Sequence, residues 1–334
     1  MANLINYDSF DKKGEQYHSN YVVDDVQTLD QILQELGSNP NLIYRGVNNA
    51  AFRLYTSAQR HYIWKDDLYK FVGGIDYHTF VRNSINIVRN SEDVMDYFNN
   101  HSIPVNDFLI LAFLQHYKEC SPLLDFAYSL ESSLFFAQDG YAPPVGDGSL
   151  NDYISLYFTS NQIDWLQATI QNINKIGAEN VDRMVEKTEK DPRYSVDTSD
   201  VLYNMQNLTY EDYIDNIHFL PIAGASIGVT EVVMKYVGKS WRYHMTNPRL
   251  QNQNGLFIFN VSDHEPLVEQ VNNVTKYYKI FGCINIHKDL IPHITQKYLM
   301  PNGLTHDAVY CQSKESRDLE IKVSELFIKK EETI

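Results

Sequence analysis

The run Phe108-Leu109-Ile110-Leu111-Ala112-Phe113-Leu114 is apolar on every side of a helix, and Gln115, His116 and Tyr117 follow directly. A helix without a polar face has to be enclosed by other elements, so the fold must place layers around it. Gln115 and His116 travel into the interior with that helix, and each then needs a partner there. A chain of 334 residues is long enough to enclose such a helix.

The remaining pattern supplies candidate layers. Thr28 to Leu36 sets Leu29, Ile32 and Leu36 on one helical face and stops at Gly37-Ser38-Asn39-Pro40. Leu42-Ile43-Tyr44-Arg45-Gly46 predicts a short inner strand opening into a turn at Val47-Asn48-Asn49, with the Arg45 guanidinium near its end. Tyr62 to Asn99 is helical in pattern, broken at Gly73-Gly74. Ser129 can cap a helix running through Leu134-Phe135-Phe136-Ala137, with Glu131 in the first turn. Gly140 to Asn151 is a loop, and Ile154 to Thr159 alternates like a strand.

Further along, Asp164 to Asp191 reads as a helical insertion rich in both charge signs. Gly255 to Val261 and Tyr277 to Ile286 predict strands joined by an acidic loop. Leu290, Ile291, Ile294 and Tyr298 form a helical stripe, and Leu319, Ile321 and Val323 alternate as a closing strand. The resulting expectation is α+β: a single domain with a central, mostly antiparallel sheet flanked by helices. Its strands come late and in a cluster, after an N-terminal extension over 1–27 and around a helical insertion at about 160–240.

The net charge of -15 argues against a broad surface for duplex nucleic acid or for a membrane, since both need a basic excess. Met1 to Gly14 has no apolar core of a secretory signal, and no stretch approaches a spanning helix, which leads to the expectation of a cytoplasmic protein. Cys120, Cys283 and Cys311 are too scattered for a disulfide framework, and the eleven histidines show no ligand spacing, so no metal is expected. The phosphate-binding P-loop, H-E-x-x-H, C-x-x-C and G-x-G-x-x-G patterns are absent. Gly224-Ala225-Ser226-Ile227-Gly228 does match the nucleophile elbow of serine hydrolases, with Asp263, His264 or His306 available for a triad built on Ser226.

Four separated pieces occur in one order. They are Tyr44-Arg45-Gly46; Gln115-His116-Tyr117 with Ser121-Pro122-Leu123-Leu124-Asp125-Phe126; Ser133-Leu134-Phe135-Phe136-Ala137; and Asn247-Pro248-Arg249 with Gln253-Asn254-Gly255-Leu256-Phe257. This order resembles the FRG domain family, named after its Phe/Tyr-Arg-Gly motif, and the resemblance implies an FRG domain over 28–328. The chain departs from the family pattern at Lys118, where glycine is usual, and at Cys120-Ser121-Pro122, where the family carries a second arginine. Arg45, Gln115, His116, Asp125, Arg249 and Gln253 are polar groups set in apolar sequence, so they must satisfy one another or a ligand. An internal network pairing Asp125 with Arg45 or Arg249 would meet that need without any ligand.

The Tyr-Arg-Gly strand followed by a serine and an Ala-ending helix is also similar to the Arg-Ser-Glu class of ADP-ribosyltransferases. That resemblance implies NAD as substrate, a small-molecule nucleotide held by Tyr44, Arg45, Gly46, Gln115, His116, Asp125 and Arg249, and a macromolecular acceptor. It implies catalytic roles for Arg45 on the pyrophosphate or ribose, Ser129 bracing the nicotinamide half, and Gln253 where a carboxylate would be wanted. An amide there can orient a ribose hydroxyl but cannot stabilise developing positive charge as an anion does. The expectation is a transferase-like effector, a toxin or phage-defence protein, with a binding module using the same pocket as the alternative.

Overall fold

The computed structural model describes residues 6–64, 75–100, 105–117, 120–160, 209–211, 219–223, 255–275, 279–310 and 314–328. Seven strands form one sheet in the order β1-β7-β4-β2-β3-β6-β5. They are β1 Ser19–Val23, β2 Leu42–Val47, β3 Leu123–Ala127, β4 Tyr153–Ser160, β5 Phe219–Ala223, β6 Gly255–Asn260 and β7 Gly282–His287. Every neighbouring pair is antiparallel except β1 with β7. The expected α+β class and mostly antiparallel sheet are therefore observed.

One joint in this sheet differs from the others. β2 and β4 stay in register for six residue pairs, from Leu42↔Ser160 to Val47↔Ser155, and β3 and β6 for five. Between β2 and β3 the register is a single pair, Tyr44↔Ala127. The core follows the same division. On one face Tyr44, Leu156, Phe158, Ile284 and Ile286 pack together with Leu29, Leu33, Leu134 and Ile294, while Leu123, Phe257 and Phe259 belong to a second cluster with Phe80, Ile110, Leu114 and Val323. On the opposite face Ile43, Phe126, Tyr157, Ile258 and Cys283 form one cluster that spans both halves.

The helices explain the two clusters. Helix α1 (Phe10–Gly14) and α2 (Val26–Gly37) precede the sheet's centre; α3 (Ser57–Trp64), α4 (Tyr77–Arg89), α5 (Glu92–Asn100) and α6 (Asp107–His116) lie between β2 and β3 in sequence. The all-apolar run is indeed enclosed: α6 is capped by Asn106, whose side chain accepts from the Leu109 N–H at 2.9 Å, and Leu109 to Leu114 are all buried. Helix α7 (Leu130–Gln138) follows β3 directly, α8 (Leu267–Thr275) links β6 to β7, and α9 (His306–Tyr310) and α10 (Lys314–Ile328) close the described chain. Cys120 and Cys283 are buried free thiols, as expected of reduced cysteines.

Several expectations are corrected. Strands do not come late: β1 to β4 are complete by Ser160, and the segment expected as an N-terminal extension supplies β1 and α1. Lys13 of α1 reaches into the sheet and donates to Ala50 O, Ser155 Oγ and Asn285 Oδ1 at 2.7–2.8 Å. The link between β6 and β7 is not an acidic loop but holds α8, because Leu267, Val268 and Val271 recur at helical spacing and are buried. The closing strand is a helix: in α10 Leu319, Val323 and Phe327 are buried while Ile321 is 60% exposed, a four-residue period that the short alternation of 319, 321 and 323 concealed. The 164–191 insertion, Gly73-Gly74 and Cys311 lie outside the described residues.

Candidate functional site

Where β2 and β3 part, a cleft of about 490 Å³ opens, lined by Tyr44 to Asn48 from β2 and its turn, by Asp125 to Ala127 from β3, and by Gln115 and His116 from the end of α6. Ser133, Phe136 and Asp139 of the α7 segment form another wall. Four of the polar residues singled out in the sequence, Arg45, Gln115, His116 and Asp125, are thus brought to one site. Arg249, Gln253 and Ser226 lie outside the described residues. Asp263 and His264, offered as triad partners, bond to each other on the surface, and His306 packs on Tyr310 with ring centroids 4.6 Å apart.

Arg45 occupies the place of missing ladder bonds. Its Nη1 donates to the backbone oxygen of Asp125 and lies 3.8 Å from Asp125 Oδ2. The arginine side chain is 17% exposed and the aspartate 37% exposed, so the pair borders the cleft rather than being sealed in the core. Burial lowers the Arg45 pKa, with the Asp125 and Tyr157 charges acting in the opposite direction. Gln115 Nε2 donates to Asp125 Oδ2 at 2.8 Å, and Gln115 Oε1 accepts from Ser57 Oγ at 3.2 Å. Ser57 in turn is fixed by the Ser121 backbone, accepting from its N–H at 3.0 Å. The departure Cys120-Ser121-Pro122 thereby serves as a brace: Ser121 is buried and its hydroxyl donates to Leu111 O at 2.8 Å.

This network leaves atoms over. Arg45 Nε and Asp125 Oδ1 are buried without a hydrogen-bond partner among the described residues, and so is Ser133 Oγ. Buried polar atoms without partners are expensive, and these three face one cleft, which makes it the candidate site. Arg60 lines the mouth; burial first and then the Arg45 charge lower its pKa. His116 is buried in the wall, its ring edge-on to Phe257 at 5.2 Å.

The glycine of Tyr-Arg-Gly has a packing role. A Cβ on Gly46 would stand 1.9 Å from Ser133 O and 2.4 Å from Ala137 N, so only glycine lets α7 lie directly on β2. Tyr44 is likewise committed: it is buried, its hydroxyl donates to Leu36 O at 2.8 Å, and burial raises its pKa to about 12. Ser129 is engaged as the cap of α7, accepting from the Ser132 N–H at 3.0 Å and donating to Glu131 Oε2 at 2.9 Å. One turn on, Ser133 faces the cleft instead. The sequence signal for it was the Ser133-to-Ala137 piece itself, whose first residue lies beside Gly46.

Arg60, Asp139 and Tyr310 were not singled out by sequence. Tyr310 Oη donates to Asp139 Oδ2 at 2.5 Å, tying α9 to the cleft wall, a contact across 171 residues that no local pattern announces. Among the described residues no group of three or more His, Cys, Asp or Glu side chains could hold a metal ion, and no helix is long and apolar enough to cross a membrane.

Comparison with known proteins gives one family match: residues 40–145 fit the FRG domain model. No curated protein and no solved structure matches the chain. The matched span holds Tyr44-Arg45-Gly46, Gln115-His116, Asp125 and Ser133, the residues that meet around the cleft. The split sheet joint and most of the cleft's lining thus fall within the span, residues 40–145, that is similar to the FRG domain.

Proposed function

We propose that the cleft takes a nucleotide of the NAD class and works as an ADP-ribosyltransferase, passing ADP-ribose to a protein or nucleic-acid acceptor in the manner of a toxin or phage-defence effector. The observation that carries this reading is the meeting of Arg45 and Asp125 at one open cleft, each keeping a polar atom without a partner among the described residues. Two guanidinium groups, Arg45 and Arg60, and two carboxylates, Asp125 and Asp139, line the cleft, and their charges cancel. That balance suits a ligand offering both phosphate and hydroxyl groups better than a bare polyanion.

In the proposed reaction the C–N bond between ribose and nicotinamide breaks, and its electron pair leaves with nicotinamide. Positive charge develops on the ribose, where Asp125 is the anion that Gln253 cannot be. The acceptor's nucleophile then bonds to the anomeric carbon and gives up its proton to solvent. Arg45 and Arg60 hold phosphate oxygens, and Ser133 takes the bracing role that the resemblance implies for Ser129. Incubating the protein with labelled NAD and cell lysate tests this. Label transfer or nicotinamide release that vanishes in Arg45→Ala, with an NAD-induced rise in Tm, is expected; absence of both turnover and thermal shift sinks the reading.

One observation favours a non-catalytic binding module instead. Asp125 Oδ2 already accepts from Gln115 Nε2, which holds the carboxylate in a network that needs no reaction. That module predicts stabilisation by NAD without nicotinamide release.

A further inference from the structure

The turn after β2 carries an aromatic ring that the fold itself does not use. The backbone of Phe52 is fixed at both ends: its N–H donates to Asn49 O at 3.1 Å, and its carbonyl accepts from the Tyr157 hydroxyl at 3.0 Å. Its neighbours are anchored too, since the Ala51 N–H donates to Asn49 Oδ1 at 2.9 Å and Arg53 pairs with Glu269 at 3.2 Å. Phe52 nevertheless lines the cleft and is 43% exposed, with no ring contact among the described residues. By contrast Phe136 and Tyr310, also in the lining, pack on each other edge to face at 6.2 Å.

We infer that Phe52 is a stacking platform for a planar heteroaromatic ring, the base of the nucleotide whose ribose and phosphates face Arg45, Asp125 and Arg60. A phenyl ring has no polar handle and so contributes through its face, which is the contact a purine or pyridine ring accepts regardless of its edge pattern. Holding the backbone rigid while leaving the ring bare means that little order has to be gained on binding. The inference rests on the nucleotide reading above and sharpens it: the site grips the base as well as the phosphates.

Isothermal titration of NAD into the wild-type protein, Phe52→Leu and Phe52→Trp separates the two claims. Stacking is worth about fivefold or more in affinity per base, so Phe52→Leu should bind at least about fivefold more weakly while Phe52→Trp restores wild-type affinity. The unfolding midpoint without ligand should be the same for all three, because the ring is exposed. NAD binding that is equal in wild type and Phe52→Leu overturns the stacking role and leaves the nucleotide cleft standing. No NAD binding by the wild type overturns both.

Discussion

Arg45 and Asp125 meet through side chain to backbone: the guanidinium donates to the aspartate's carbonyl oxygen at the point where β2 and β3 no longer share a ladder. The same two residues also face each other by charge, at 3.8 Å. An arginine thus substitutes for strand pairing and at the same time holds the carboxylate of its neighbour strand at the cleft. Because Gln115 grips Asp125 Oδ2 from the other side, the three form a unit. A double-mutant cycle with Gln115→Ala and Asp125→Ala, read by urea unfolding, should give a coupling of about 1 kcal/mol for this hydrogen bond to a charged, partly exposed acceptor. Additive effects would mean that Gln115 and Asp125 act independently.

Of the described glycines, Gly46 leaves the least room for a Cβ. Its Cβ position falls on Ser133 O and Ala137 N, backbone atoms of a helix that cannot turn aside. Gly46→Ala should cost about 3 kcal/mol, at the upper end of overpacking effects, and lower Tm by several degrees. A variant as stable as wild type would be incompatible with α7 lying on β2 at this distance.

Lys13 makes an alkaline signature. Its ammonium is fully buried among neutral acceptors, and burial brings its pKa down from 10.5 to about 8, against the opposing effect of Cys283. The folded state therefore binds fewer protons than the unfolded chain between about pH 8 and 10.5. The burial cost is present in full below that window and is relieved as pH rises through it. Compared with Lys13→Met, the wild-type protein should gain stability from pH 8 to 10; urea melts at several pH values check this, and a pH-independent difference between the two would refute it.

Asp152 organises the loop before β4. Its carboxylate accepts from the N–H groups of Val145, Gly146 and Gly148, and those bonds lower its pKa. A depressed folded pKa gives stability that is present above the ordinary carboxylate range and lost as pH falls through the folded value. Asp152→Ala should leave three N–H groups to water and make the 140–149 loop an early site of limited proteolysis, while protection equal to wild type would argue against the anchoring role.

The C-terminal helix offers a direct contrast between two readings of one pattern. If 319–323 were a strand, Ile321 and Val323 would share a buried face. In α10 they do not: Ile321 is exposed and Val323 buried. Ile321→Ala should change stability by less than about 0.5 kcal/mol and Val323→Ala by about 1–3 kcal/mol, measured by denaturant unfolding. Equal losses at both positions would restore the strand.

Much of the site was legible because its residues break the pattern around them. Arg45, Gln115, His116 and Asp125 are polar positions inside apolar runs, and the structure gathers all four. The α6 run was legible for the opposite reason, having no polar face at all. What stayed hidden depends on distance along the chain or on short windows. Arg60 and Phe52 sit in segments with no strong periodicity, and Tyr310 meets Asp139 only through the tertiary fold. The period of α10 is hidden in the sequence because three residues spaced by two also fit a strand, whereas the decisive fourth, Phe327, lies a further turn along. Ser129 is a serine directly before a helix, the pattern of a cap, and it caps α7.

The single registered pair between β2 and β3 leaves the sheet as two leaves bound along one spine, the continuous cluster of Ile43, Phe126, Tyr157 and Ile258. A molecule seated in the gap touches both leaves at once. It would act as a clasp, supplying across the opening the bridges that the backbone does not make. Filling of the proposed site would then be felt as slower amide exchange in strands on either side of the joint, so that stiffness across the joint would report whether the cleft is occupied.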